Sequence, residues 1–250
     1  MDVKIKRALI STSDKSGVVD FARKLSEMKV KIISTGGTAK TLSEAGVSVT
    51  GIESVTGFPE MMDGRVKTLH PKIHGALLGL RDKNEHTAAM KKHNIEPIDL
   101  VCVNLYPFEQ TIAKADCTLA EAIENIDIGG PSMIRSAAKN HKFVTVVTKP
   151  DQYDKVIEEM QKNGGAVSEK LRSDFARQAF ALTASYDAAI AKYLNGRANV
   201  EYPEKISIAL KKEASLRYGE NPHQSAAFYK LPSSSETSVS SGTLLEGGID

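Results

Sequence analysis

The chain has 250 residues, 41% of them hydrophobic, enough to bury a full core, and its length permits one large domain or one domain plus part of another. Basic residues number 33 against 31 acidic, a formal charge of +2, which excludes the electrostatic footprint of a general nucleic-acid binder and confines any basic site to a local cluster. Cys102 and Cys117 supply neither a disulfide framework nor a four-ligand zinc site, and no run approaches the roughly 20 apolar residues that span a bilayer, so a soluble protein of a reducing cytoplasm is expected.

Apolar runs with the look of buried strands occur at 7–11 ("RALIS"), 30–34 ("VKIIS"), 47–52 ("VSVTGI"), 99–106 ("DLVCVNLY") and 142–148 ("KFVTVVT"). Between the first two, Val18, Phe21, Ala22, Leu25 and Met28 repeat at helical spacing and form one apolar stripe. This alternation predicts an α/β fold with a parallel sheet covered by helices, and such sheets bind ligands at the carboxyl ends of their strands.

Three predicted strand ends carry small polar residues. The first, "STSDKSG" (11–17), offers the hydroxyls of Ser11, Thr12 and Ser13 and the charge of Lys15. The second, Ser34, Thr35, Gly36, Gly37 and Thr38, runs into a helix marked by Ala39, Leu42 and Ala45; two glycines let backbone N–H groups converge on an anion, and Thr38 is a good N-cap. It is neither a Walker loop nor a dinucleotide fingerprint. In the third, "NIDIGGPSMIRSAAKN" (125–140), Asp127 precedes Gly129, Gly130 and Pro131, with Pro131 expected at the first helical position and Arg135 and Lys139 on one face as a solvated pair.

Between these, "DGRVKTLHPKIHGALL" (63–78) gathers Arg65, Lys67, His70, Lys72 and His74 into a basic turn able to deliver cations to a phosphate. The i, i+4 spacing of His70 and His74 suits a metal, but Pro71 argues against one helical face and no third ligand presents itself, so no metal site is expected. "CVNLYPF" (102–108) ends a strand with Asn104 and Tyr106, while Cys102 reads as a core residue. From about 150 to 196 the pattern is helical throughout, closed by Asn195 and Gly196. Strand-like runs resume near 200, and the Ser-rich stretch 232–242 reads as a linker.

Taken together, "STSDKSG", "STGGTAKTL", "GRVKTLHPKIHG", "VNLYPF", "IDIGGPSMIRSAAKN" and "RYGENPHQ" resemble the family of bifunctional purine-biosynthesis proteins that join AICAR transformylase to IMP cyclohydrolase. The resemblance implies a methylglyoxal-synthase-like three-layer cyclohydrolase domain over 1–200. It also implies the incomplete start, over 201–250, of a cytidine-deaminase-like transformylase domain. The implied reaction is ring closure of the formylated aminoimidazole carboxamide ribonucleotide (FAICAR) to inosine monophosphate (IMP), with loss of water and no cofactor. The implied nucleotide-binding positions are Ser11, Ser13, Asp14, Lys15, Ser34, Thr35, Gly36, Gly37, Thr38, Arg65, Thr68, Asn104, Ile128, Gly129 and Gly130; the implied catalytic ones are Lys67, Tyr106, Asp127 and Lys139. Some members have a cysteine directly before that asparagine; here the position is Val103, so no role for that thiol carries over.

In the transformylase half, Arg217 and Tyr218 match AICAR-binding positions, and 10-formyltetrahydrofolate is the co-substrate; the family's Lys-His pair for formyl transfer is not reached before Asp250. The family also implies a homodimer in the cytoplasm, with neither nucleic acid nor membrane as partner. Two other readings share the phosphate loops: a ligand-sensing regulatory domain, which has no need of Lys67, Tyr106, Asp127 and Lys139 together, and a triose-phosphate lyase, which would lack the motif at 217–224.

Overall fold

The computed structural model describes residues 1–232 and 242, so nearly all of the Ser-rich stretch expected as a linker lies outside the described residues. Two compact units divide between Thr183 and Ala184. The first begins with β1 (Val3–Lys4), β2 (Arg7–Ser11), α1 (Val18–Glu27), β3 (Lys31–Ser34), α2 (Gly36–Glu44), β4 (Val49–Gly51) and α3 (Ile52–Thr56). A 3-10 turn at Met62–Gly64 leads to α4 (Pro71–Leu78), α5 (Asn84–Lys92), β5 (Leu100–Val103), α6 (Phe108–Ile112), α7 (Leu119–Glu124) and α8 (Gly129–Lys139). There follow β6 (Thr145–Val147), a second 3-10 turn at Pro150–Gln152, α9 (Tyr153–Lys162), β7 (Ala166–Val167) and α10 (Glu169–Arg197). In the second unit, β8 (Lys211–Leu216) and β9 (Ala226–Lys230) pair antiparallel.

The main sheet has the order β4-β3-β2-β5-β6, and every pairing in it is parallel. Its central strands are apolar without alternation because helices cover both faces: Ala8, Leu9 and Ile10 of β2 and all of β5 are buried. Right-handed crossovers put α1 and α2 on one face and α8 on the other, since the chain moves outward from β2 in one direction and from β5 in the opposite one. The order therefore reverses between β2 and β5, which opens a crevice at their carboxyl ends. On α1, Val18, Phe21, Ala22 and Leu25 are buried as the stripe predicts, and Phe21 stacks on Tyr153 with ring centroids 4.4 Å apart.

The strands are shorter than the apolar runs. The run at 99–106 stops pairing after Val103, because the Asn104 side chain turns to bond the loop after β2. The region 150–196 is not helical throughout: β7 interrupts it and pairs antiparallel with β1, Val3 opposite Val167, a strand too short to show a period. Nor do Asn195 and Gly196 stop the last helix, which runs to Arg197 and turns at Asn199, a residue with φ of 52°. Arg172, on α10, is fully buried in the first unit. Its guanidinium donates to the carbonyls of Met1 (2.7 Å), His141 (2.8 Å), Lys142 (3.0 Å) and Val167, four acceptors that sequence periodicity does not reveal.

Candidate active site

The carboxyl ends of β2, β3 and β5 and the first turns of α2 and α8 surround a cavity of about 640 Å³, within the range of small-ligand sites. From the loop after β2 come Ser11, Thr12, Ser13 and Lys15; from the next comes Thr35 with Gly36, Gly37 and Thr38. Thr35, extended at φ −126°, is the N-cap of α2, but its hydroxyl shares a 2.7 Å hydrogen bond with Ser11 Oγ and caps nothing. The expected cap, Thr38, instead lies inside the first turn, where its hydroxyl donates to the Thr12 carbonyl and accepts the Thr12 N–H, both at 3.0 Å. The N–H groups of Gly36 and Gly37, having no intrahelical acceptor, are left for a ligand.

Glycine is required here for close approach. A β-carbon at Gly36 (φ 42°) would stand 3.0 Å from Lys67 Nζ, and one at Gly37 3.9 Å from Lys15 Nζ. Two ammonium groups thus flank a helix N-terminus, an arrangement that favours a phosphate. The Thr12 hydroxyl, buried in the cavity wall, has no hydrogen-bond partner among the described residues.

Two predicted positions in these loops do not reach the cavity. Ser34 is fully buried and its hydroxyl donates to the Ile10 carbonyl at 2.6 Å, fastening β3 to β2. Asp14 is exposed, and its carboxylate turns back on Ser16, whose hydroxyl and N–H hold its pKa below the ordinary carboxylate value. Asn104 lines the cavity but spends its amide on scaffolding: Oδ1 accepts the N–H groups of Ser13 (2.6 Å) and Asp14 (3.0 Å), and Nδ2 donates to the Asp14 carbonyl (3.0 Å). It thereby ties the loop after β2 to the end of β5 across the switch point.

The opposite wall is the basic turn. Met61 and Val66 form an isolated antiparallel bridge around the 3-10 turn, so Glu60 and Lys67 meet just outside it, Oε2 to Nζ 2.9 Å. Arg65 is ion-paired with Glu124 of α7, which holds the glutamate's pKa low. Thr68 is buried against Gly129. At the head of α8, Asp127 Oδ1 accepts the Gly130 N–H at 2.8 Å. Burial pushes the Asp127 pKa above the ordinary carboxylate value, opposed by the N–H groups of Gly130 and Tyr106. A β-carbon at Gly130 would collide with that carboxylate. Half-exposed Tyr106 and exposed Ile128 complete this side.

Lys139 does not join Lys67, Tyr106 and Asp127. It is the last residue of α8, exposed, and about 15 Å along the axis from Gly129 at the usual helical rise; its charge complements the helix C-terminus. Pro131 is the third residue of α8, not the first. Pro71 opens α4 rather than breaking it, with His70 as N-cap accepting the Lys72 N–H at 3.1 Å, while His74 Nδ1 bonds Ser136 Oγ at 3.0 Å. Among the described residues no three side chains are grouped as metal ligands. Arg217 and Tyr218 follow β8 in the second unit, both exposed. Sequence reasoning missed Glu60 and Glu124, whose signal was a carboxylate within a few residues of the basic turn or on a nearby amphipathic helix. It also missed Ile123, on a helix with no motif of its own, and Ile126 and Met133, apolar positions inside the motif at 125–140, all of which line the cavity.

Residues 17–132 match the model of the MGS-like domain and residues 137–248 that of the AICARFT/IMPCHase bienzyme. The bifunctional purine biosynthesis protein PurH of Bacillus cereus is 56% identical over 242 residues, which cover 97% of this chain and 47% of that protein. PurH of Magnetococcus marinus is 56% identical over 249 residues, covering 98% and 47%. The chain thus spans about half the length of these curated relatives. The crystal structure of ForH superposes with a TM-score of 0.68 at 33% identity, over 75% of this chain and 97% of ForH. The chain belongs to the AICARFT/IMPCHase bienzyme family, and its first unit carries that family's MGS-like domain.

Proposed function

We propose that the first unit is an IMP cyclohydrolase of de novo purine biosynthesis, closing FAICAR to IMP. The observation that carries this reading is the convergence on one cavity of a phosphate cradle with Lys67, Tyr106 and Asp127. Lys15 and the first turn of α2 hold the 5′-phosphate, and α8 and Tyr106 face the imidazole arms. The carboxamide nitrogen attacks the formyl carbon of the same molecule. One proton from the carboxamide nitrogen and one from the formamide nitrogen leave with the formyl oxygen as water.

An amide nitrogen is a weak nucleophile, so the two arms must be held at attack distance while a cation faces the growing oxyanion. Lys67 supplies the cation. Asp127, with a raised pKa and two N–H donors to steady it, takes up the nitrogen's proton, and the Tyr106 hydroxyl relays a proton to the departing oxygen. The catalytic part that the resemblance implies for Lys139 falls to these two groups.

Mixing the chain with FAICAR and following purine absorbance tests the reading directly. The same family assignment makes a cytoplasmic homodimer the expected setting, checked by sedimentation velocity. Formyl transfer from 10-formyltetrahydrofolate, through a site that includes Arg217 and Tyr218, is proposed for the longer protein only. This chain is expected to close the ring and not to transfer a formyl group; folate-dependent formylation by it would contradict that.

A further inference from the structure

We infer that the first unit carries a second anion site at the opposite end of the main sheet, built for a linear triphosphate. A recess of about 850 Å³ lies where the strands begin, lined by residues at the starts of β2 and β3 and just before β5 and β6. Three of its seven basic side chains are neutralised: Arg7 by Glu96 (3.4 Å), Arg81 by Asp99 (2.6 Å) and Lys142 by Asp82 (2.5 Å). Asp99 is further occupied by the N–H groups of Lys6 and Arg7 at 2.8 and 2.9 Å.

Lys4, Lys6, Lys29 and Lys31 remain. All four are exposed, and among the described residues none has a carboxylate within ion-pair distance. The one lining carboxylate left over is Asp2, so the recess holds an excess of three positive charges, more than the +2 of the entire chain. A concave surface with a net excess of one sign of charge concentrates counter-ions.

The lysines also form a line. Val3 and Ile5 are buried while Lys4, at the end of β1, and Lys6, between β1 and β2, alternate outward, which sets the two ammonium stems on one side about 6.5 Å apart along the extended chain. The Lys31 N–H donates to the Lys6 carbonyl at 2.9 Å, which places Lys31, at the start of β3, beside Lys6 just ahead of β2, about 5 Å away. Lys29 stands two residues before Lys31 at φ of 63°, in the left-handed region, where a glycine would fit without strain. A monophosphate, with about two negative charges, can satisfy neither this length nor this excess; a linear triphosphate matches both. The site is separate from the cavity at the other sheet end and does not depend on the reaction proposed for it.

Titration calorimetry of the chain with inorganic tripolyphosphate at low salt tests the inference, with ATP in a parallel arm. Binding is expected, weakened about tenfold or more by the triple variant Lys4→Gln/Lys6→Gln/Lys31→Gln and retained in Lys15→Gln, which removes only binding at the cradle on the other end of the sheet. Equal affinities for the two probes mean that the triphosphate alone is read; tighter ATP means that the nucleoside adds contacts. Absence of tripolyphosphate binding, or binding that survives the triple variant and is lost in Lys15→Gln, overturns the proposal. All three substituted lysines are exposed, so an unchanged melting profile is the expected control.

Discussion

Glu60 Oε2 lies 2.9 Å from Lys67 Nζ, and the same ammonium group is seated against two glycines, Gly36 and Gly64, where no side chain could intrude. The bridge between Met61 and Val66 makes this pairing a property of the turn rather than a chance surface contact. Because both side chains are partly exposed, the pair adds at most about 1 kcal/mol to stability; its effect is on where Lys67 points.

Glu60→Gln is therefore expected to lower turnover about tenfold with little change in KM, since Lys67 acts on charge that develops only in the transition state. In a Lys67→Gln background the same change adds no further loss, because the two residues act as one unit. Steady-state kinetics of the four proteins check this; multiplicative losses in the double variant would show that Glu60 acts on something other than Lys67.

At the head of α8, Gly130→Ala drives a β-carbon into the Asp127 carboxylate. We expect a loss of kcat/KM on the order of 10² with the circular dichroism spectrum retained, general acid–base groups being worth about that much.

Burial also raises the Asp127 pKa, and two consequences follow in opposite directions. The acid limb of kcat/KM lies above the usual carboxylate value of about 4, because the group must be ionised to accept a proton. Stability moves the other way: the folded state binds the proton more tightly than the unfolded chain, so the group's contribution is fully present below the unfolded pKa and is lost as pH rises through the folded one. Asp127→Asn is expected to abolish both features, as measured by a pH–rate profile and by denaturant melts between pH 3 and about 7.

Cys102 is buried, with its pKa pushed up to about 12 by loss of solvation and its thiol 3.6 Å from the Tyr153 hydroxyl. Cys117 is only partly covered. Native protein should thus react with a thiol reagent rapidly at Cys117 alone, and at Cys102 only on unfolding, because the thiolate is the reactive form. Mass-resolved alkylation gives the count, and rapid native labelling of Cys102 would contradict this burial.

Arg172→Met tests the carbonyl cluster. The substitution keeps much of the apolar stem but leaves four carbonyls without their donor, that of Val167 in a buried bond and the other three in part-buried ones; at about 1–3 kcal/mol for a buried unsatisfied group, and less where water can reach, a loss of about 2–3 kcal/mol is expected. A shift in the urea midpoint equivalent to less than about 1 kcal/mol would show that water replaces the guanidinium.

Much of the sheet was legible because buried parallel strands are unbroken apolar runs, and α1 because its stripe has one period. The short pair β1 and β7 was not, since two residues cannot show alternation. The cradle was legible in residue types but not in roles. Ser34 and Thr35 are adjacent hydroxyls in one motif, yet the strand turns Ser34 into the sheet and leaves Thr35 at the helix entrance. Thr38 looks like a cap in sequence because the two glycines before it look like a loop, whereas Gly36 already begins the helix. Lys139 shares a motif with Asp127, but a motif written along a helix is spread along its length, and α8 lines the cavity only with Gly129, Gly130 and Met133 near its start.

The central claim is most directly tested by the initial rate of purine formation from FAICAR by the wild-type chain and by Lys67→Ala, without folate. Ring closure by the wild type, reduced on the order of 10² to 10³ in turnover by the substitution with nucleotide affinity nearly retained, is the predicted result. No purine from the wild type, or an unchanged rate in Lys67→Ala, would contradict it.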